Sequence, residues 1–127
     1  MIISKKTKHT QKTVKVPSMR INKNGHIVFN KAAVQLLEIE DNEKEGVVFG
    51  YQNNEPYVAY STDEDCYKGM FKVGETSFRF GSKYEAEQIL SCFNVEDKTI
   101  VLSVSDEPKE IVMSEGYKFL KLKRLVV

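Results

Sequence analysis

The feature that most constrains this chain is a motif that occurs twice. One copy reads Leu36-Leu37-Glu38-Ile39-Glu40-Asp41 and the other Cys92-Phe93-Asn94-Val95-Glu96-Asp97. Each ends a stretch with apolar residues at helical spacing, and each precedes an apolar strand, Val47-Val48-Phe49 and Ile100-Val101-Leu102. Both strands lead to a Glu-Pro turn, at Glu55-Pro56 and Glu107-Pro108. Both turns are followed by a short strand ending in serine, Ser61 or Ser114, and then by a Tyr-Lys pair, Tyr67-Lys68 or Tyr117-Lys118. Two repeats are too few to stack as a solenoid, which needs at least about three. The two copies must therefore share one core, as the halves of an isologous dimer do. The expected fold is α+β, with two pseudo-symmetric half-units of one helix and three to four antiparallel strands each. They would span about residues 19–73 and 76–126 of a single domain, residues 13–127.

Local punctuation fills in the elements. Residues 1–12 are polar and basic without periodicity and read as a flexible tail, and Val14 and Val16 suggest a short edge strand. Asn24-Gly25 is a two-residue hairpin turn, since both residues tolerate positive φ. It joins Met19-Arg20-Ile21 to His26-Ile27-Val28-Phe29. Asn30 is a helix N-cap for Lys31 to Glu38, with Ala33, Val34 and Leu37 facing inward. Ser82 with Glu85 three residues later is a capping box for a second helix carrying Tyr84, Ala86, Ile89, Leu90 and Phe93. Strands are expected at Val47–Tyr51, Tyr57–Tyr60, Tyr67–Val73, Ser77–Phe80, Thr99–Val104, Glu110–Met113 and Tyr117–Val126. In this order residues 47–93 form a four-strand-plus-helix unit, and the two termini complete its permuted partner. That arrangement sets the N-terminal hairpin beside the last strand.

Charge is distributed unevenly. Residues 1–37 hold eight lysines and arginines and no acid, whereas residues 38–67 hold nine acids and Lys44. A terminal block of one sign suits a polyanionic partner, and it also suits a solvated tail. No apolar run approaches the roughly 20 residues of a membrane span. The first residues, Met1-Ile2-Ile3-Ser4-Lys5-Lys6, lack the apolar stretch of a signal peptide. Cys66 and Cys92 cannot build a disulfide framework of the secreted kind. The expected location is the cytoplasm.

The element order, four strands and a helix used twice, resembles the single-stranded DNA-binding fold of the Whirly proteins and of positive cofactor four. That resemblance implies curved sheets whose basic and aromatic side chains hold single strands. A second, local resemblance runs from Asn24-Gly25-His26-Ile27-Val28-Phe29-Asn30-Lys31 to Leu37-Glu38-Ile39. This stretch is similar to the strand-turn-strand-helix of AbrB-type swapped-hairpin DNA-binding domains. That family usually has proline where Asn30 stands and glycine where Glu38 stands. The resemblance implies binding of duplex DNA by a dimer.

Single-strand binding requires a basic groove and exposed aromatic faces, because cations replace the counterions of the backbone and bases stack on rings. The candidate binding residues are Lys12, Lys15, Arg20, Lys23, Lys31, Lys118, Lys121, Lys123 and Arg124, with Tyr51, Tyr57 and Tyr60 as stacking platforms. The same tyrosines fit a core and the same lysines a solvated face. Phe78 and Phe80 alternate with Arg79 and read as core. No catalytic residue, metal site or cofactor is expected: His26 sits beside a turn, the cysteines form no CxxC, and no phosphate-binding glycine loop is present. The expected partner is nucleic acid, single-stranded by preference, with a homodimer possible in principle. A protein-interaction module, using the acidic block 38–67 against the basic ends, is the competing reading.

Overall fold

The computed structural model describes residues 16–39, 45–71, 77–95 and 99–125. The elements in chain order are β1 (Ser18–Ile21), β2 (His26–Phe29), α1 (Lys31–Leu37), β3 (Gly46–Gln52), β4 (Glu55–Ser61), β5 (Met70–Phe71) and β6 (Phe78–Gly81). These are followed by α2 (Lys83–Cys92), β7 (Ile100–Val104), a single 3-10 turn (Pro108–Glu110), β8 (Ile111–Ser114) and β9 (Tyr117–Arg124). The α+β class is as expected, with sheet dominating.

The local signals hold where they were strongest. The first hairpin turns at the expected place, but through three residues, Lys23-Asn24-Gly25, and not the expected two: Gly25 N donates to Asn22 O at 3.1 Å. Gly25 alone of the three is left-handed, with φ +93°, and a side chain there would meet the Lys83 backbone nitrogen at 2.7 Å. Its carbonyl accepts the Ser82 amide at 2.9 Å, so the hairpin tip is fastened to the start of α2. Asn30 caps α1: its Oδ1 accepts Ala33 N at 2.9 Å and Ser18 N at 3.0 Å, while its Nδ2 donates to Val16 O at 2.8 Å. One side chain thus starts a helix and anchors the strand beside it. Ser82 Oγ accepts Glu85 N at 3.2 Å at the head of α2. The two helices also end alike. Glu38 (φ 58°) and Asn94 (φ 56°) are left-handed. The following amides, of Ile39 and Val95, reach back to Val34 O at 3.2 Å and Leu90 O at 3.1 Å. This is the six-to-one bond of a Schellman end, and it tucks an apolar residue under each helix.

All strand pairs are antiparallel, and the strands lie in the order β3-β4-β9-β7-β1-β2-β6-β5, with β8 added along the first half of β9. The sheet curls until its two ends meet. Val47 of β3 and Tyr67, just before β5, exchange backbone hydrogen bonds of 3.0 and 2.8 Å. Beneath this seam Phe49, Tyr67 and Phe80 pack ring against ring, with Tyr67 and Phe80 stacked at 5.1 Å. The interior holds Met19, Ile21, Ile27, Phe29, Val47, Val58, Phe78, Leu102 and Leu122, and the helices contribute Ala33, Val34, Leu37, Ala86, Ile89 and Leu90. Phe78 is buried and Phe80 packs against the core, as their alternation with Arg79 implies.

The neighbours of some strands differ from the sequence reading. The N-terminal hairpin is not beside the last strand: β7 lies between, paired with β1 on one edge and β9 on the other. Nor do residues 47–93 form one sheet unit, since β4 pairs with β3 and β9 and not with β5. The cause is burial. Val58 of β4 and Leu120 of β9 face each other in the core, a match that local pattern does not encode. Of the strand expected over Tyr67–Val73, the described residues hold the Tyr67 bridge and β5, while Lys72 and Val73 lie outside them. Val16 lies outside any strand, and Val14 and the 1–12 segment fall outside the described residues.

Candidate nucleic-acid interface

The twelve candidate residues do not converge on one surface. Lys12 and Lys15 lie outside the described residues. Lys23 stands at the hairpin tip, beside Lys83 and Glu87 of α2. Lys31 opens α1 and is exposed. Lys121 and Lys123 point along β9, and each meets an acid: Lys121 pairs with Glu55, and Lys123 Nζ lies 3.2 Å from Glu110 Oε1. Glu55 pushes the Lys121 ammonium up from its ordinary value, through a hydrogen bond first. The Ser105 hydroxyl, 2.6 Å from Glu110, and then Lys123 hold the Glu110 carboxyl below the usual range. Arg124 is exposed at the end of β9.

The tyrosines serve three different purposes. Tyr57 is 7% exposed and belongs to the core, which corrects its reading as a stacking platform. It lies beneath the β8–β9 hairpin, in a cleft with Phe119 and Val112. Tyr51 keeps 43% of its surface, but its hydroxyl donates to Glu85 Oε2 at 2.5 Å. Burial and that bond push its titration well above the ordinary phenol value. Tyr67 donates to the other Glu85 oxygen at 2.9 Å, and burial first and foremost raises its titration too. Glu85 therefore ties β3 and the seam to α2. Tyr60, 37% exposed, shares a groove with Leu36, Tyr117 and Lys118 near the end of α1.

A different cluster forms on the outer wall of β1, β2, β6 and β7. Arg20 lies opposite Val28 on one side and Val101 on the other. Val28 in turn lies opposite Arg79. Arg20 and Arg79 are thus two strand spacings apart, about 10 Å at Cα, on either side of one valine. Ser18, Asn30 and Ser77 complete an open groove around them. Ser77 Oγ accepts from Arg79 Nη2 at 3.2 Å. Two residues back along β1, on the same face, Ser18 lies opposite Ser103, and Ser103 lies opposite Lys123. The four strands carry Arg20, His26 and Arg79 and no aspartate or glutamate. Among the described residues Arg20 has no acid partner.

Arg79 was absent from the sequence-based set because it sits 59 positions from Arg20 and beside two core phenylalanines. Only the β2–β6 pairing joins the two arginines. The available signal was the strand period: a lone arginine between Phe78 and Phe80 must face outward. Two guanidinium groups on the strands either side of β2 can each present paired N–H donors to phosphate oxygens. No protein family, curated protein or solved structure matches this chain.

Proposed function

We propose that the chain is a non-enzymatic nucleic-acid-binding protein that holds a phosphate backbone on the outer wall of β1, β2, β6 and β7. The observation that carries this reading is the pair Arg20 and Arg79, which flank Val28 on an acid-free stretch of sheet. Lys123, opposite Ser103, extends the same face.

The ligand proposed is duplex. A single-strand site needs rings on which bases stack. The residues facing outward around Arg20 and Arg79 are valines, serines and an asparagine, and Tyr51, Tyr57 and Tyr60 lie elsewhere. The AbrB-like reading gains support from two further observations. Where that family has glycine, Glu38 adopts φ 58°, the conformation that glycine takes most easily. The strand pairings also read as an exchange of hairpins. Matching β1, β2, α1, β3 and β4 with β5, β6, α2, β7 and β9 leaves the list of neighbours unchanged. The pair β1–β2 becomes β5–β6, β1–β7 becomes the Tyr67–Val47 contact of the β5 segment with β3, and β3–β4 becomes β7–β9. The first hairpin lies between strands of the second half, and the second hairpin between strands of the first. In this reading the chain is two swapped-hairpin units in one polypeptide and β8 is an addition, so the sequence matches of the Ser61 strand with the Ser114 strand and of Tyr67 with Tyr117 are not equivalences of the fold.

The test is fluorescence anisotropy with a labelled duplex and with one of its strands alone, over a range of salt. The duplex is expected to bind more tightly. Its log K should fall with log salt at a slope of about −2 to −3, for two or three phosphates neutralised. Arg20→Gln with Arg79→Gln should flatten that slope by about 2. Binding that is absent at low salt, or unaffected by the double substitution, defeats the proposal.

A further inference from the structure

Resting on that reading, we infer that one chain grips its duplex in a single orientation, at a site without dyad symmetry. The exchange of halves described above carries the β2–β6 ladder onto itself. In that ladder Val28 lies opposite Arg79, and Ile27 and Phe29 lie opposite Phe80 and Phe78. Matching Val28 with Arg79, the central pair of that ladder that faces outward, sets the local two-fold axis at the floor of the arginine groove. On the far wall the same matching equates Val58 with Leu120, which lie opposite each other in the β4–β9 ladder.

In a homodimer of identical units, side chains on the two sides of such an axis would be the same. A face of that kind meets a duplex equally well in either direction and suits a palindromic site, whose dyad matches that of the protein. Here the backbone keeps the axis and the side chains abandon it. The position equivalent to Arg79 is Val28. Arg20 stands opposite Val28 on β1, and the equivalent register position, opposite Arg79 on β5, is Met70. Beyond β1 the face continues past Ser103 to Lys123. On the other side, the chain entering β5 carries exposed Asp63, Glu64 and Asp65 with the single base Lys68. Among the described residues positive charge therefore predominates on one side of the axis and negative charge on the other, and a polyanion laid across the axis has one favoured placement.

The experiment is selection from a randomised duplex library by the full chain at low salt. Light scattering of the complex with an enriched duplex gives its stoichiometry. Hydroxyl-radical footprinting gives the distribution of contacts. The expected result is a non-palindromic motif, one chain per duplex, and protection concentrated to one side of the site centre. Base-pair substitution on the protected side should weaken binding about tenfold, and the mirror-related substitution less than about threefold. A palindromic motif, two chains per duplex, or duplex binding with no enriched motif overturns the inference and leaves the proposed function standing. No duplex retained at all overturns both.

Discussion

Gly46→Ala is expected to open the seam of the sheet. Gly46 starts β3, and a Cβ at this position would lie 2.1 Å from the Tyr67 carbonyl oxygen and 2.8 Å from its carbon. Non-bonded carbon and oxygen need roughly 3.2 Å, so the carbonyl would have to retreat by about 1 Å. That oxygen accepts the Val47 amide at 3.0 Å, and the same movement strains the return bond from Tyr67 N to Val47 O at 2.8 Å. A bond stretched to about 4 Å is no longer a hydrogen bond. Losing two such bonds costs about 1–3 kcal/mol. The Phe49, Tyr67 and Phe80 rings beneath must shift as well, which takes the expected loss to the upper part of that range. For a domain of this size roughly 4 °C accompanies each kcal/mol, so thermal unfolding followed by circular dichroism should shift down by about 8–12 °C. Gly81→Ala is the control, because its nearest atom would be Gly25 O at 3.8 Å, an ordinary contact. Hydrogen exchange should show protection lost first at the Val47 and Tyr67 amides. A Gly46→Ala midpoint within about 2 °C of the parent would refute the reasoning.

Other expectations concern single side chains. Glu38→Gly relieves a left-handed residue at the end of α1 and should stabilise the protein by about 0.5–1 kcal/mol, read as a higher thermal midpoint. A lower midpoint would show that the Glu38 side chain contributes more than its backbone strain costs. Glu110→Gln removes the acid facing Lys123 and should tighten duplex binding at low salt. The salt slope should steepen by about 1, measured by anisotropy. An unchanged slope would place Lys123 outside the interface. Tyr51 and Tyr67 titrate higher in the folded chain than when free. Their contribution to stability is therefore complete below the free phenol value of about 10 and is lost as pH climbs through the folded values. Midpoints recorded from pH 8 upward should fall above about pH 10, and Tyr51→Phe should make that fall shallower. An identical decline in Tyr51→Phe would contradict the assignment.

Much of the local structure was legible because its causes are local. Asn24-Gly25 turns, Asn30 and Ser82 cap, and the repeated helix ends share one backbone geometry at Glu38 and Asn94. These effects act within about four residues. The burial of Phe78 follows from alternation. The interface was not legible, because its parts come from distant strands. Arg20 and Arg79 become neighbours only through the β2–β6 ladder. Lys121 and Lys123 lose their apparent freedom to Glu55 and Glu110, which arrive from β4 and from the turn before β8. Tyr57 and Tyr60 lie three positions apart in β4 and so take opposite faces, and Tyr57 is the buried one, in a cleft with Phe119 of the β8–β9 hairpin. Period alone predicts which face a residue takes and says nothing of what covers that face.

The position of β7 has a consequence for how the chain bears force. Pro17 O accepts from Val104 N at 2.9 Å, and Leu125 N donates to Val101 O at 3.0 Å. The first and last described stretches thus grip opposite edges of one strand. β1 and β9 are both antiparallel to β7 and so run in the same direction. Tension applied at residues 17 and 125 draws β1 backward and β9 forward along that shared axis. The two ladders are then loaded in shear, with their hydrogen bonds resisting together instead of parting one by one. Pulled by its ends, the chain should yield abruptly at high force, whereas a pull across the Val47–Tyr67 seam, where two bonds face the load, should open it at low force.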